Sequence, residues 1–491
     1  MMGVEAPGPE RLVYTGFCLE KRIRKNHPLR QVARAIDFSF IYDEVADKYG
    51  RKGHVSVPPP IVLKLMLLLV LYNVRSEREL MDSLPERLDW LWFLGFDLDT
   101  TIPNHSVLSK ARKRWGVDVF RRVFERVLWQ CAQADLVNGE KIFVDSTYVR
   151  ANASNSTIID RESLKYSLSK HFAGLEKRLE VEKGDDAPQK DTRVVNRRYV
   201  STTDPDAAIV RQGKAKLYYK THRAVDARAE IITATEVTRG DVNEAHRLSP
   251  LLDMHQLNTE RRAEVVVADS KYGTIENFLE CSDRGVAAHI PDLGKVSEKR
   301  QQRRGRFTDK EFTYDAATDS YRCPAGESLT YKAFREKRQS IDYAIKNGAC
   351  TECKLKQQCT ENADGRTIKR HPRQVELDRM RARSGSAPAK ANIQLRQHLM
   401  ERSFAQGQRY GIARSRWRGL WRVQIQEYLI ATMQNIDKLV RYGRYDKPRN
   451  INSMTIVATQ NCRNAVRPMG LASVGRTISI VSASFLDVAL N

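Results

Sequence analysis
Two short apolar runs, each ending on an aspartate followed by a serine, constrain this chain more than any other feature. Residues 141–150 read Lys-Ile-Phe-Val-Asp-Ser-Thr-Tyr-Val-Arg, and residues 264–272 read Glu-Val-Val-Val-Ala-Asp-Ser-Lys-Tyr. Ile142, Phe143 and Val144, like Val265, Val266 and Val267, fit short buried strands. A carboxylate at the mouth of such a strand is costly unless it is hydrogen-bonded, paired or holding a metal. One acid alone fits a turn cap equally well. Two of them, Asp145 and Asp269, on parallel strands of one sheet would stand at the same edge, where open α/β sheets bind their ligands. Like charges that close repel, so a divalent cation is their expected partner.

A length of 491 residues exceeds one ordinary core and implies two or three domains. With 83 Lys and Arg against 60 Asp and Glu, the formal charge of +23 points to a polyanionic partner, nucleic acid ahead of membrane. Basic proteins that only bind nucleic acid share this charge, so it does not by itself imply catalysis. The longest apolar run, residues 61–74, is too short for a bilayer and is broken by Lys64, so no membrane association is expected. The first nine residues lack the pattern of a secretory signal, which makes the cytoplasm the expected location. Eight cysteines are sparse for this length and read as reduced thiols.

Along the chain, residues 1–26 read as a leader and 27–135 as a helical, DNA-binding N-terminal domain. In it, Trp90, Trp92, Phe93 and Phe96 read as a core cluster ahead of a base-stacking platform. Lys110, Arg112, Lys113 and Arg114 lie on a basic helix that is either a solvated face or a phosphate contact. Residues 136–292 read as the first part of a mixed α/β core: the strand of Asp145, a helix marked by Leu164, Leu168, Phe172, Leu175 and Leu179, a charged excursion over 182–198, a hairpin over 215–237, and then helix, strand, helix and strand. Residues 293–385 are basic and cysteine-rich. The spacing of Cys323, Cys350, Cys353 and Cys359 suits a structural zinc site, with unliganded thiols as the other reading. Residues 386–445 return to two helices, the first placing Gln397, Glu401, Phe404 and Gln408 on one face, and residues 446–491 have no readable structure.

The chain resembles the DDE transposases of bacterial insertion sequences. The resemblance lies in Ala35-Ile-Asp-Phe-Ser-Phe-Ile-Tyr, Ser76-Glu-Arg-Glu-Leu, Trp92-Phe-Leu-Gly-Phe-Asp-Leu, Val144-Asp-Ser-Thr-Tyr-Val-Arg-Ala-Asn-Ala-Ser, Asp204-Pro-Asp-Ala, Glu401-Arg-Ser-Phe-Ala, Arg418-Gly-Leu and Gln434-Asn, in that order over residues 27–442. It implies an α/β class with an RNase H-like mixed-sheet core, an all-α N-terminal domain and a small cysteine-rich insert. It also implies that Asp145, Asp269 and Glu401 form the acidic triad. The family commonly has a lysine seven residues after the glutamate, where this chain has Gln408, and Arg396 is the candidate for its arginine, while Gln394 stands at a tyrosine position.

On this reading Asp145, Asp269 and Glu401 hold two Mg²⁺ ions, with Mn²⁺ as a substitute, for cleavage of transposon-end DNA and joining to target DNA. The partners are double-stranded DNA and further copies of the chain, in the bacterial cytoplasm at the nucleoid. Lys271, Arg409, Arg414, Arg416 and Arg418 join the basic residues above as phosphate-contact candidates, with Trp417 or Trp421 available for stacking on a base, Trp421 reading as core packing ahead of that. Ser146, Ser270 and Tyr148 have no base paired with them and read as hydrogen-bonding groups, and His222 reads as a satisfied strand histidine ahead of a ligand. Two other functions fit the same residues: an RNase H-like nuclease without strand transfer, and a DNA-binding protein whose acids no longer hold metal.

Overall fold
The computed structural model describes residues 18–50, 55–160, 196, 198–362 and 364–443. Residues 1–25 with 446–491 form one unit, in which α1 (Leu19–Arg22) is described; Asn26–Tyr445 form the other. Most of the leader, the helix expected over 164–179, most of the excursion over 182–198, and the tail lie outside the described residues.

Helices open the larger unit. They are α2 (Pro28–Ala35), α3 (Ile41–Val45), α4 (Pro59–Leu71), α5 (Glu77–Ser83), α6 (Leu88–Leu94) and α7 (Ser106–Gln133). Prolines in the first turn suit the start of α4, and the helix is apolar all round because it is buried nearly all round. Its one charge, Lys64, donates to the Phe93 carbonyl at 3.0 Å, and burial pushes its ammonium down to about 8. Trp90 and Phe93 are buried, so the aromatic cluster is core. The expected basic helix is the first arm of α7, which bends at Gly116, whose φ of 72° and ψ of −179° lie outside the helical region.

The central sheet follows. β1 (Lys141–Arg150) is its middle strand; β2 (Ile158–Asp160) and β3 (Tyr199–Ser201) pair separately; β4 (Ala208–Gln212), β5 (Lys214–Asp226) and β6 (Ile232–Arg239) run antiparallel in succession. After α8 (Leu248–Thr259) come β7 (Val265–Val267), α9 (Ile275–Asp283) and β8 (Ala287–His289). β5 pairs antiparallel with β1, β7 pairs parallel with β1, and β8 parallel with β7, so the lateral order is β6-β5-β1-β7-β8. Strands inside such a sheet are covered on both faces, which is why Ile142, Phe143, Val144, Val266 and Val267 are all fully buried. One face is sealed by α8, α9 and a later helix through Leu248, Leu251, Phe278, Leu377 and Met380.

Next, α10 (Gly294–Arg303) leads into an antiparallel five-stranded sheet of β9 (Thr313–Asp315), β10 (Ser320–Arg322), β11 (Ser328–Arg335), β12 (Ser340–Ile345) and β13 (Thr367–Arg370), with the short α11 (Lys356–Cys359) before its last strand. This small sheet has its own core of Phe312, Tyr321, Leu329, Tyr343, Ile345 and Ile368. Three helices complete the unit: α12 (Gln374–Ser384), α13 (Ala387–Arg409) and α14 (Leu420–Tyr442). α13 begins as expected, with Ser386 accepting from the Ala389 N–H and proline in its first turn. It lies across β1, β7 and β8, while α14 packs on β6 and α7.

Two histidines are buried at the sheet, His222 on β5 and His255 on the α8 helix that covers it. His222 bonds Thr238 through Nε2 at 2.9 Å while its buried Nδ1 has no hydrogen-bond partner, so the satisfied histidine expected there is only half satisfied, and His255 bonds Thr233 and the Gly139 carbonyl. Burial, aided by Lys220 and Arg247, pushes His222 down to about 3, and burial also lowers His255. Unfolded histidine titrates near about 6.5, so below that pH the unfolded chain binds more protons and stability falls as the solution is acidified toward the folded value. The urea midpoint is expected to fall between about pH 7 and pH 5, and to fall less in His222→Asn; an equal fall in both proteins would remove His222 as a source.

A candidate active site at the edge of the sheet
The two aspartates meet as the strand pattern requires. In register, Phe143 lies opposite Val267, and each acid follows two residues later, Asp145 still inside β1 and Asp269 just past the end of β7. Neighbouring strands run about 4.8 Å apart, and residues two apart share a face, so the two carboxyls emerge side by side. The Asp145 carboxyl is three-quarters covered; Oδ1 accepts from the Ser146 N–H at 2.8 Å and Oδ2 from Arg396 Nη1 at 2.6 Å. Burial pushes the Asp145 carboxyl upward, the Arg396 guanidinium opposes this, and the charge of Asp269 raises it further. Asp269 caps the turn that follows it, accepting from the Lys271 N–H at 3.0 Å. That turn is pressed against the sheet: a Cβ on Gly273 would sit 2.1 Å from the Pro291 carbonyl oxygen.

Glu401 does not join them in this structure. It is exposed on α13 and accepts from Gln397 Nε2 at 3.1 Å. The reason is helix phase. Arg396 faces Asp145, and five further residues at about 100° each carry Glu401 roughly 140° round the helix. The expected convergence of three acids is therefore corrected to a pair, with Arg396 as their neighbour. Among the described residues, no group of three or more His, Cys, Asp or Glu stands placed to hold a metal ion. The pair itself suits a divalent cation: two carboxylates, one largely buried and raised by the other's charge, would both be relieved by it.

The basic candidates separate into two groups. Lys110, Lys113, Arg114, Lys271, Arg409, Arg414 and Arg418 are exposed, as is Gln408. Arg414 and Arg418 also bond Asn152, docking their loop on the chain just beyond β1. Arg112 and Arg416 are corrected to structural roles. Arg112 is 4% exposed, pairs with Glu77, and lies 3.9 Å from the centre of the Trp417 ring. Trp417 itself donates to Glu77 at 3.2 Å, so it too is engaged internally. Arg416 reaches back to Asn73 at 2.7 Å and the Tyr410 carbonyl at 3.3 Å.

Cys323, Cys350, Cys353 and Cys359 are free thiols lining one cavity of about 20 Å³ beside the core of the small sheet. Burial raises the Cys350 and Cys359 thiols, and charge on the neighbouring cysteines raises them further.

Sequence reasoning missed the ring of polar groups behind Asp269. Glu244, buried in the turn after β6, binds Lys220 and Lys271. Burial first, then the charges of Asp145, Asp269 and Glu244, hold the buried Tyr272 hydroxyl well above its ordinary value. No local spacing marks Glu244; only the fold brings residues 220, 244 and 271 together.

A sheet in which three antiparallel strands are continued by two parallel ones, in the order β6-β5-β1-β7-β8, is an RNase H-like core, here preceded by helices and interrupted by a second sheet. A family described as "Transposase domain (DUF772)" matches residues 17–114, and one described as "Transposase DDE domain" matches residues 322–440. Two stretches of the chain are thus matched by transposase families, the second of them a DDE domain. Glu401 lies inside the second matched stretch, whereas Asp145 and Asp269 lie between the two. No curated protein matches the chain. A solved structure, a piggyBac transposase synaptic complex with hairpin DNA, is similar at 7% identity and a TM-score of 0.35, covering 92% of this chain and 80% of that one, a likeness too slight to carry an argument.

Proposed function
We propose that this protein cuts DNA at the ends of an insertion sequence and joins the freed 3′ ends to target DNA. The observation that carries this reading is the pairing of Asp145 and Asp269 at one sheet edge in a chain with two transposase domains. Both aspartates would hold Mg²⁺, or Mn²⁺ in its place, and Glu401 would complete a second position if α13 turned about its axis. Divalent cations held there supply Lewis acidity to the oxygens entering and leaving phosphorus. Arg396, which screens Asp145, is the nearest cation to pass from carboxylate to DNA phosphate as the substrate arrives.

In the first reaction a water oxygen bonds to phosphorus and the phosphorus–O3′ bond breaks, leaving a 3′-hydroxyl and a 5′-phosphate. In the second, that 3′ oxygen bonds to a target phosphorus and displaces the target's own O3′. Ser146, Ser270 and Tyr148 need form no covalent intermediate. Lys110, Lys113, Arg114, Arg409, Arg414 and Arg418 would contact phosphates along the duplex. Cutting two ends in concert calls for several copies of the chain on DNA, in the cytoplasm at the nucleoid.

The test is incubation of the purified protein with pre-cut ends, a plasmid target and Mg²⁺. Joined products are expected. Nicking without joining would reduce the protein to a nuclease, and binding without either to a DNA-binding protein. No helix among the described residues is long and apolar enough to cross a membrane.

The four cysteines would hold one structural Zn²⁺ once their side chains turn inward, a reading supported by the shared cavity. Metal analysis of protein purified without chelator is expected to find about one zinc per chain. Its absence would leave four reduced thiols.

A further inference from the structure
Glu244 lies behind the aspartate pair, in the turn that follows β6, and is 7% exposed. Its two oxygens bind two lysines, Oε2 the Lys220 ammonium at 3.1 Å and Oε1 the Lys271 ammonium at 2.8 Å. The lysines differ in setting. Lys220 is buried, donates also to the Val242 carbonyl at 2.8 Å, and lies 4.8 Å from the Tyr148 ring centre. The Lys271 side chain is 59% exposed and belongs to the turn capped by Asp269. One carboxylate between two ammonium groups leaves a net positive charge, and its exposed bearer is Lys271.

Neutralising a buried glutamate needs only the buried lysine. Ordering a second, exposed lysine costs rotamer entropy, and an exposed ion pair returns little stability for it. What the arrangement does supply is direction. An ammonium on a flexible four-carbon stem is held to one position at the rim, two residues from Asp269, and an ammonium is a phosphate-binding point charge with three donors, of which Glu244 takes one.

We propose that Glu244 is a positioning residue: it fixes the Lys271 ammonium beside Asp269 so that this ammonium grips the phosphate adjoining the cut. The inference rests on the DNA-cutting reading above. Lys220 anchors Glu244 from within the sheet, so the three charges act as one bracket.

The test uses the full chain and duplex DNA taken from the sequence flanking its gene, with single methylphosphonates, which carry no charge, placed in turn along one strand. Wild type is expected to show one position near the cut where the neutral linkage weakens binding several-fold. In Lys271→Ala that position should lose its effect, and the slope of log affinity against log salt should become shallower by about 0.9, one phosphate contact. In Glu244→Gln combined with Lys220→Met, which leaves no unpaired buried charge, the lysine charge remains. The slope should therefore hold, while the single sensitive position disappears and nicking slows. Glu244→Asp serves as the milder variant if the double one does not fold. Persistence of the sensitive position in Lys271→Ala would overturn the contact, and its persistence in the Glu244 variants would overturn the positioning role. A wild type that binds but never nicks would sink the cutting reading alone, because the binding scan decides the contact without it.

Discussion
Asp145→Asn is expected to lower Mg²⁺-dependent nicking and joining by a factor of about 10² to 10³ or more, the loss typical when a group serving transition-state charge is removed. Asparagine keeps the shape, but its single amide oxygen can replace only one of the two acceptors, Oδ1 for the Ser146 N–H or Oδ2 for Arg396. The charge and one hydrogen bond at the sheet edge are lost while the buried core is untouched, so folding and DNA binding should survive. Asp269→Asn should behave in the same way, because its carboxylate follows the paired position of the neighbouring strand. Glu401→Gln is the informative contrast. Equal loss would mean that α13 turns on DNA and carries Glu401 inward; little loss would leave catalysis to the aspartate pair. Nicking of end DNA by Asp145→Asn at the wild-type rate would dispose of the whole assignment.

The second large effect lies beneath the sheet. Arg223 sits opposite Asp145 in register and is fully buried; its Nε donates to Glu427 Oε1 at 2.6 Å and its Nη1 to Gln434 Oε1 at 2.8 Å. Glu427 accepts also from Thr235, and Gln434 passes the network on to the Ser403 carbonyl of α13. Removing one member of a buried pair strands the other charge, which costs about 3–5 kcal/mol. Glu427→Ala should therefore lower the urea midpoint sharply. Arg223→Met with Glu427→Leu, which replaces both charges by apolar groups of similar length, should recover most of it. If the double variant is no more stable than the single one, the cost lies in packing rather than in the stranded guanidinium.

What could be read from the chain depended on whether local pattern or long-range contact set the answer. β1 and β7 were legible because a strand buried on both faces needs an unbroken apolar run, and Ile142-Phe143-Val144 and Val265-Val266-Val267 have no other use. The hairpin of β5 and β6 was legible by its alternation. The small five-stranded sheet was not: β11 exposes Tyr331 and Phe334 and slips register between Tyr331 and Ala333, which blurs the period of two, and its cysteines drew the reading to metal spacing. By charge alone Arg112 reads as a surface residue. It shares a helix face with Leu108, Ala111 and Trp115, all buried, a phase readable from the spacing. The same reasoning applies to Glu401, whose five-residue offset from Arg396 bars both from one face. Glu244 had no such signal.

The long contact between α7 and α14 bears on how the protein can be taken apart. Phe124 meets Tyr428 with ring centres 5.9 Å apart, and the Cys131 thiol donates to the Asn435 carbonyl at 3.7 Å. Val119, Phe120, Val123 and Val127 are buried along the same helix. Severing the polypeptide after Gln133 would strand that greasy stripe in water and bare its mate at the far end of the sequence, so the amino-terminal helices and the sheet stand or melt as one body.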